Sequence, residues 1–403
     1  MGTAILDIVI GLSVAVTGLF LWFGPFRRSI TWRAMTTPLA SIIGSGFLIL
    51  GPVLNVAYGV YAPLVMLALC AVAFGFGSAI RYNIQAVANV DYNPARLYVF
   101  LETLASWVLG FAYIISVAYY LNLLGAFGVS LTPFDDNIYA KTLTTLVYII
   151  IAVVGWISGF RSLERMEYLS VSVKLAIIVG LLVGLGVYFV SRTTNGGLVF
   201  NAPDVSGWPA ITLAFGLIVT VQGFETSRYL LNAYDAPTCV RSMRHAQGVA
   251  TAIYIIYILL LTYVFAHDDL VLSETGIIDM MAIVAPILPP LLVAAALAAQ
   301  FSAAVADTSG SGGLISEVTR YRITPRVAYS LLVGAGIGLT WISDIFSIVS
   351  YASRAFAMYY AIQSVIAAVR AYQRGNPANS FVYASFAVLG VMIYMIGEAV
   401  EAQ

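Results

Sequence analysis

The sequence predicts an all-α polytopic membrane protein of about twelve transmembrane helices, built as a five-plus-five inverted repeat with one flanking helix at each end. Three observations carry this. The chain is 61% hydrophobic and 9% charged, where a soluble domain carries about a quarter charged residues, and its mean hydropathy is +0.93. Twelve segments are apolar over about 20 residues, the length that crosses a bilayer. Glycine interruptions, Ile43-Gly44-Ser45-Gly46-Phe47 and Gln222-Gly223-Phe224-Glu225, fall inside the second and the seventh of these segments, so each half of the core opens on an interrupted helix.

The spans are expected near 5–24, 37–57, 60–80, 98–125, 139–159, 167–190, 209–227, 247–266, 280–312, 327–343, 346–369 and 380–399. The first has no basic residue before it and no small-residue cleavage pattern after it, so it reads as a retained helix rather than a signal peptide. The segments at 98–125 and 280–312 are long enough to tilt or to extend beyond the hydrocarbon. Four regions follow: a flanking helix in 1–30, repeats in 31–191 and 192–371, and a flanking helix in 372–403.

Charge orients the map. Arg27, Arg28, Arg33, Arg81, Arg96, Arg161, Arg165, Arg228, Arg241, Arg244, Arg320, Arg322, Arg326, Arg370 and Arg374 fall at one set of loops. Asp135, Asp136, Asp204, Asp268, Asp269, Glu274 and Asp344 fall at the alternate set, where only Lys141 and Arg192 are basic. Excess Lys and Arg marks the cytoplasmic side. The expectation is a multi-pass protein of the cell (inner) membrane with both termini extracytoplasmic.

Several classes are excluded. Net charge is zero, so there is no basic footprint for nucleic acid. The two cysteines, Cys70 and Cys239, and two histidines are too few and scattered for a zinc site or a disulfide framework. No Walker motif supports ATP-driven pumping. No HExxH, no Gly-x-Ser-x-Gly and no histidine within a span supports a membrane enzyme. The expected partners are a small-molecule solute and the lipid bilayer, with no organic cofactor, and no feature specifies an oligomeric state.

A broken helix survives at membrane depth only where it lines a protein cavity. Amides freed at a half-helix N-terminus attract anions, and carbonyls freed before the break can hold a cation. The competing reading is that Gly44 and Gly46 form a close-packing seam; the matching interruption at Gly223, with Glu225 beside it, favours a site. Lys174, Glu225, Asp307 and Arg354 lie inside predicted spans, where ionisable groups are costly and either pair structurally or serve function. Glu102 sits near a cytoplasmic end and is expected to be solvated. Asp307, Thr308 and Ser311 lie within one helical turn, and with Ser309 they offer hydroxyl and carboxylate oxygens suited to a hard cation, or else a small-residue helix contact. Lys174 either reaches this cluster, filling a sodium position and loading protons, or snorkels to the interface. Arg354 pairs with Glu225 or Asp307, or receives an acidic substrate.

At these residues the chain resembles the amino acid–polyamine–organocation (APC) superfamily. Ile43-Gly44-Ser45-Gly46-Phe47 is similar to the first-helix motif of its amino-acid permeases, whose unwound glycines receive the substrate carboxylate. Gln222-Gly223-Phe224-Glu225, with Tyr234-Asp235-Ala236-Pro237, looks like their sixth-helix motif and following loop, although Thr226-Ser227-Arg228-Tyr229 replaces the usual acidic run. Gly159 and Lys174 match the start of their fifth helix, where a lysine ammonium can stand in for sodium. The extra N-terminal helix and Asp307-Thr308-Ser309 resemble solute:sodium symporters instead. That resemblance implies a sodium ion held by the carbonyls of Ala40 and Ile43 with Asp307, Thr308 and Ser309.

The reading is a cation-coupled secondary transporter, with the proton preferred and sodium the alternative. It moves a small polar solute, an amino acid or a related amine or carboxylate, by alternating access. Gly44, Ser45, Gly46, Gln222, Gly223, Phe224, Glu225 and Arg354 would bind substrate; Ala40, Ile43, Lys174, Asp307, Thr308 and Ser309 would serve the coupling cation. The alternatives are a sodium symporter of a non-amino-acid solute, or a transport-inactive sensor or channel-like homologue.

Overall fold

A computed structural model describes residues 3–24, 29–44, 46–87, 96–157, 161–232, 234–270 and 272–398. The described residues are helical almost throughout, and nine helical stretches among them are long and apolar enough to cross a membrane. In order, the helices are α1 (Thr3–Phe23), α2 (Ile30–Ile42), α3 (Gly46–Tyr58), α4 (Ala62–Val87), α5 (Arg96–Val129), α6 (Asn137–Ile157) and α7 (Arg161–Thr194). Then come α8 (Gly207–Gly216), 3-10 segments Ile218–Val221 and Phe224–Asn232, α9 (Ala236–Thr262), α10 (Ile277–Val284), α11 (Leu288–Val318), α12 (Pro325–Ile342), α13 (Ile345–Gln373) and α14 (Pro377–Ile396).

Local chemistry sets several of these ends. Ser29 caps α2 by accepting from the Trp32 amide, and Asp344 caps α13 by accepting from the Ser347 amide at 2.9 Å. Asn376 caps α14 from the Asn379 amide at 3.1 Å, and Pro377 opens the helix where its missing N–H costs nothing.

Two spans differ from the hydropathy reading. The segment expected as one helix at 280–312 is α10 followed by α11. Pro286 lies between them, and Ala285 before it is extended (φ −161°, ψ 135°), as a residue preceding proline prefers. The expected loop at 229–246 is largely the start of α9, which begins at Ala236. That start carries Arg241 and Arg244, so a hydropathy window rejects it, yet Cys239, Met243 and Ala246 are buried on its inner face. Cys70 and Cys239 are free thiols, both buried.

The helices sort into neighbourhoods. α2, α3, α4, α9 and the Phe224–Asn232 segment pack together; α5, α6, α11 and α12 pack together; α13 touches both α5 and α4. α1 lies against α7 through a seam of small residues. A Cβ at Gly180 would meet Val14 at 2.5 Å, and one at Gly184 would meet Ile10 at 3.0 Å. The other face of α1 presents Ile5, Ile8, Leu12, Val16 and Leu19 outward, as a lipid-facing helix should.

α14 packs along α13, and the chain beyond it returns to α8. The Thr212 hydroxyl donates to the Glu398 carboxylate at 2.7 Å, and the Glu398 amide donates to the Thr212 carbonyl at 3.0 Å. The Glu398 carbonyl occupies the place a Cβ would take on Gly216. At the same end, the Asp7 carboxylate of α1 accepts from the Ile287 amide at 3.3 Å.

Candidate functional site

The first break begins where Ile43 leaves helical geometry (φ −84°, ψ 60°) after its amide bonds the Leu39 carbonyl. In a continuous helix the carbonyls of Ala40 and Ile43 would accept from amides four residues on. Here both accept from the Lys174 ammonium, at 2.6 and 2.7 Å. Lys174 comes from the middle of α7 and is 1% exposed, so it is carried to the break rather than snorkelling to an interface. The two carbonyls assigned to sodium by resemblance are therefore engaged by an ammonium, and while it sits there they do not fit a sodium ion. A small cavity of about 20 Å³ lies beside the ammonium, lined by Gly44, Phe47 and Ala295 among others.

The second break runs from Gly216 to Gly223. Gln222 is extended, and Gly223 takes φ +112°, a conformation that side-chain-bearing residues rarely adopt. Space demands glycine as well, since a Cβ on Gly223 would lie 2.6 Å from the Ser41 carbonyl carbon and 2.7 Å from the Ile42 nitrogen. Gly46 abuts Thr220 in the same way, at 2.9 Å. The two breaks are thus pressed backbone to backbone. The Tyr254 hydroxyl lies between them, within 2.7 Å of the Ile42 carbonyl and 2.9 Å of the Thr220 carbonyl. Ser353 of α13 accepts from the Val219 amide at 3.0 Å and donates to the Gly216 carbonyl at 2.6 Å. These partners satisfy backbone groups that lipid could not.

Around the second break the side chains are polar and buried. The Glu225 carboxylate accepts from the Gly223 amide at 3.0 Å and from the Tyr360 hydroxyl at 2.9 Å. Phe224 stacks on Tyr360 with ring centroids 5.0 Å apart, and Phe76 stacks on the same ring at 5.2 Å. The Gln222 amide group donates to the Tyr120 hydroxyl at 3.0 Å, and the Tyr120 ring lies 3.3 Å from the Cβ position of Gly44. Asp307 of α11 accepts from the Ser116 hydroxyl of α5. The structure therefore brings together Gly44, Gly46, Gln222, Gly223, Phe224 and Glu225, with Lys174, Ala40 and Ile43 at the first break.

The remaining candidates fall differently. Ser45 and Gly159 lie outside the described residues. Thr308 turns its hydroxyl back to the Ala304 carbonyl at 2.6 Å, and Ser309 is half-buried. Arg354 is a correction. Its Nε donates to the Tyr394 carbonyl at 2.7 Å, and its guanidinium lies over the Tyr394 ring at 5.8 Å. It faces α14, and among the described residues it forms no ion pair with Glu225 or Asp307. Tyr120, Tyr254, Tyr360, Ser116 and Ser353 escaped the sequence reading. Their one signal was a polar tip within an apolar run, and this chain has 25 tyrosines, so that signal selects none of them.

At the arginine-rich end lies a second polar cluster. Glu102 of α5, expected to be solvated, pairs instead with Arg228 of the Phe224–Asn232 segment and with Arg370 of α13 at 3.5 Å. Gln363 donates to Glu102 at 3.4 Å, Asn83 of α4 donates to Gln363 at 2.9 Å, and Arg370 donates to Asn83 at 3.1 Å. Four elements, α4, α5, α13 and the Phe224–Asn232 segment, are tied at one point. Glu102→Gln leaves two arginines short of a counter-charge. We expect it to destabilise the protein by about 1–3 kcal/mol and to raise the labelling rate, from that side, of a cysteine placed at Ala86, a buried α4 residue outside the cluster. An unchanged labelling rate would show that this cluster does not hold the end shut.

Comparison with known proteins agrees with this architecture. A family model described as an APC superfamily transporter matches residues 24–397. A protein of Aquifex aeolicus (strain VF5), described as uncharacterized, is 36% identical over 394 residues, covering 95% of each chain. The interrupted helices pressed together in the core and the family match over nearly the whole chain lead to one assignment: the protein belongs to the APC superfamily of transporters.

Proposed function

We propose that this protein is a proton-coupled secondary active transporter of a small polar solute, an amino acid or a related amine or carboxylate, working by alternating access. The observation that carries the reading is the Lys174 ammonium on the carbonyls of Ala40 and Ile43. A cation belongs where a broken helix frees carbonyls, and here the protein supplies its own, on a group able to gain and lose a proton. Amides at the start of α3, at Gly46, would receive an anionic end of the solute. Phe224 would pack against it, and Gln222 and Glu225 would orient it. In this reading residues 31–191 and 192–371 are the two inverted repeats, and the protein lies in the cell (inner) membrane with both termini extracytoplasmic.

The test is uptake of a labelled amino-acid mixture into proteoliposomes under either a pH gradient without sodium or a sodium gradient without a pH difference. We expect accumulation only in the first. Accumulation driven by sodium alone would transfer coupling to a sodium ion with Asp307, Thr308 and Ser309. Ligand binding with no flux under either gradient would favour a sensor.

A further inference from the structure

Arg81 of α4 is a buried cation without a counter-charge. It is 5% exposed, and among the described residues it forms no ion pair. Its Nη1 donates to the Gln247 side-chain oxygen of α9, and its Nη2 donates to the Phe74 carbonyl at 3.3 Å. The guanidinium lies over the Phe74 ring, 4.5 Å from its centroid. Phe74 is seven residues nearer the start of α4, about 10 Å along the axis. The side chain therefore turns away from the arginine-rich end, where a long cationic chain snorkels to water. Its surroundings are shaped to hold it there. Gln247 is pinned by donating to the Ala73 carbonyl at 2.9 Å. A Cβ on Gly77 would lie 2.5 Å from the Gln247 oxygen and 2.9 Å from Arg81 Nη1, so the bare glycine leaves room for the pair.

The next charge is of the same sign. Arg244 stands one turn from Gln247 on α9. It is exposed, lies within electrostatic range of Arg81, and forms no ion pair among the described residues. An ionisable group at membrane depth is costly unless paired, and a second cation nearby adds repulsion. The two recorded bonds use two of the five N–H donors of a guanidinium. The site is thus built for an anion that the chain does not supply. Phe74 indicates the source. It is 40% exposed and continues the face of α4 that carries Leu64 and Leu67, 64% and 51% exposed. That apolar face meets lipid, and the anion a bilayer offers there is a phospholipid headgroup.

We propose that Arg81 and Arg244 form a binding site for the phosphate of an anionic phospholipid, whose headgroup braces α4 against α9. A guanidinium takes phosphate through parallel N–H bonds, and basic pockets between membrane helices accept anionic headgroups. The brace falls close to the breaks. Gln247 lines a small cavity with Ile42, Val221 and Tyr254, and Tyr254 is the α9 residue that lies between the two breaks. The site is independent of which solute or ion the protein moves.

The experiment takes the full chain, delipidated in detergent, and adds phosphatidylglycerol, phosphatidylcholine or sodium phosphate. Native mass spectrometry reads retained lipid, and a thermal ramp reads stability. We expect phosphatidylglycerol to be retained at least tenfold more than phosphatidylcholine and to raise the unfolding temperature, with sodium phosphate without effect. Arg81→Gln and Arg244→Gln should each lower its retention fivefold or more. Arg320→Gln, at an exposed arginine between α11 and α12, should leave it unchanged. Arg244 is exposed, so Arg244→Gln decides the matter if Arg81→Gln does not fold. Equal retention of the two lipids would overturn the proposal. So would undiminished phosphatidylglycerol retention in Arg244→Gln or in a folded Arg81→Gln. Stabilisation by sodium phosphate equal to that by phosphatidylglycerol would overturn it too, in favour of a soluble anion.

Discussion

Replacing Lys174 with alanine should abolish accumulation driven by a pH gradient while leaving a folded protein. The substitution removes the ammonium that donates to the Ala40 and Ile43 carbonyls and leaves two buried acceptors short of a donor, a cost of about 1–3 kcal/mol for each. Folding and coupling are separable by measuring counterflow in the same vesicles. Exchange of labelled for unlabelled substrate needs an intact site but no proton gradient. Counterflow kept and accumulation lost is the expected pair. The freed carbonyls, no longer engaged by an ammonium, are also free to take sodium, so uptake stimulated by sodium in Lys174→Ala would show that ion and ammonium compete for one place. Undiminished pH-driven accumulation in the variant would remove Lys174 from the mechanism.

The second large effect should come from Gly223→Ala. A side chain at φ +112° costs about 1–3 kcal/mol in backbone strain. The added methyl would also overlap the Ser41–Ile42 backbone, and overpacking costs about 1–3 kcal/mol more. No flexible side-chain end is available to yield, because the obstacle includes main chain of the other break. Transport should fall to background, with a lower unfolding temperature. Gly248→Ala is the matched control. It sits in α9 with open space around its Cβ position, and a helical Gly→Ala change there should be neutral or mildly stabilising. Wild-type uptake in Gly223→Ala would mean that the two breaks are not required to touch.

Much of this was legible in the chain, for reasons that also explain the failures. Glycine-rich interruptions are visible because they are local and lipid makes them costly, so Gly44, Gly46 and Gly223 stood out. A lone lysine within an apolar run stood out on the same grounds. What hydropathy cannot supply is azimuth. Ser353 and Tyr360 are seven residues apart and share a face of α13, the one that meets Gly216 and Glu225. Arg354 is about 100° round from Ser353, and that rotation takes it to Tyr394 instead. The tyrosines of the site were invisible because they count as apolar in any window, and their hydroxyl partners come from distant segments. The polar start of α9 and the division of α10 from α11 were missed because a window averages over turns.

The ties at the end of the molecule away from the arginines bear on how separable its parts are. Thr212 and Glu398 bond reciprocally, Gly216 is shaped to the Glu398 carbonyl, and Asp7 receives the Ile287 amide. Each contact joins α1, or the segment after α14, to a backbone group of α8 or of the connection between α10 and α11. The outer helices are therefore not removable modules. Trimming them would take these partners from the backbone of α8 and of the connection between α10 and α11. The same geometry gives practical guidance: an affinity tag fused directly after Glu398 would press on α8, whereas the connection between α11 and α12, near Arg320 and Arg322, is surface that neither break touches.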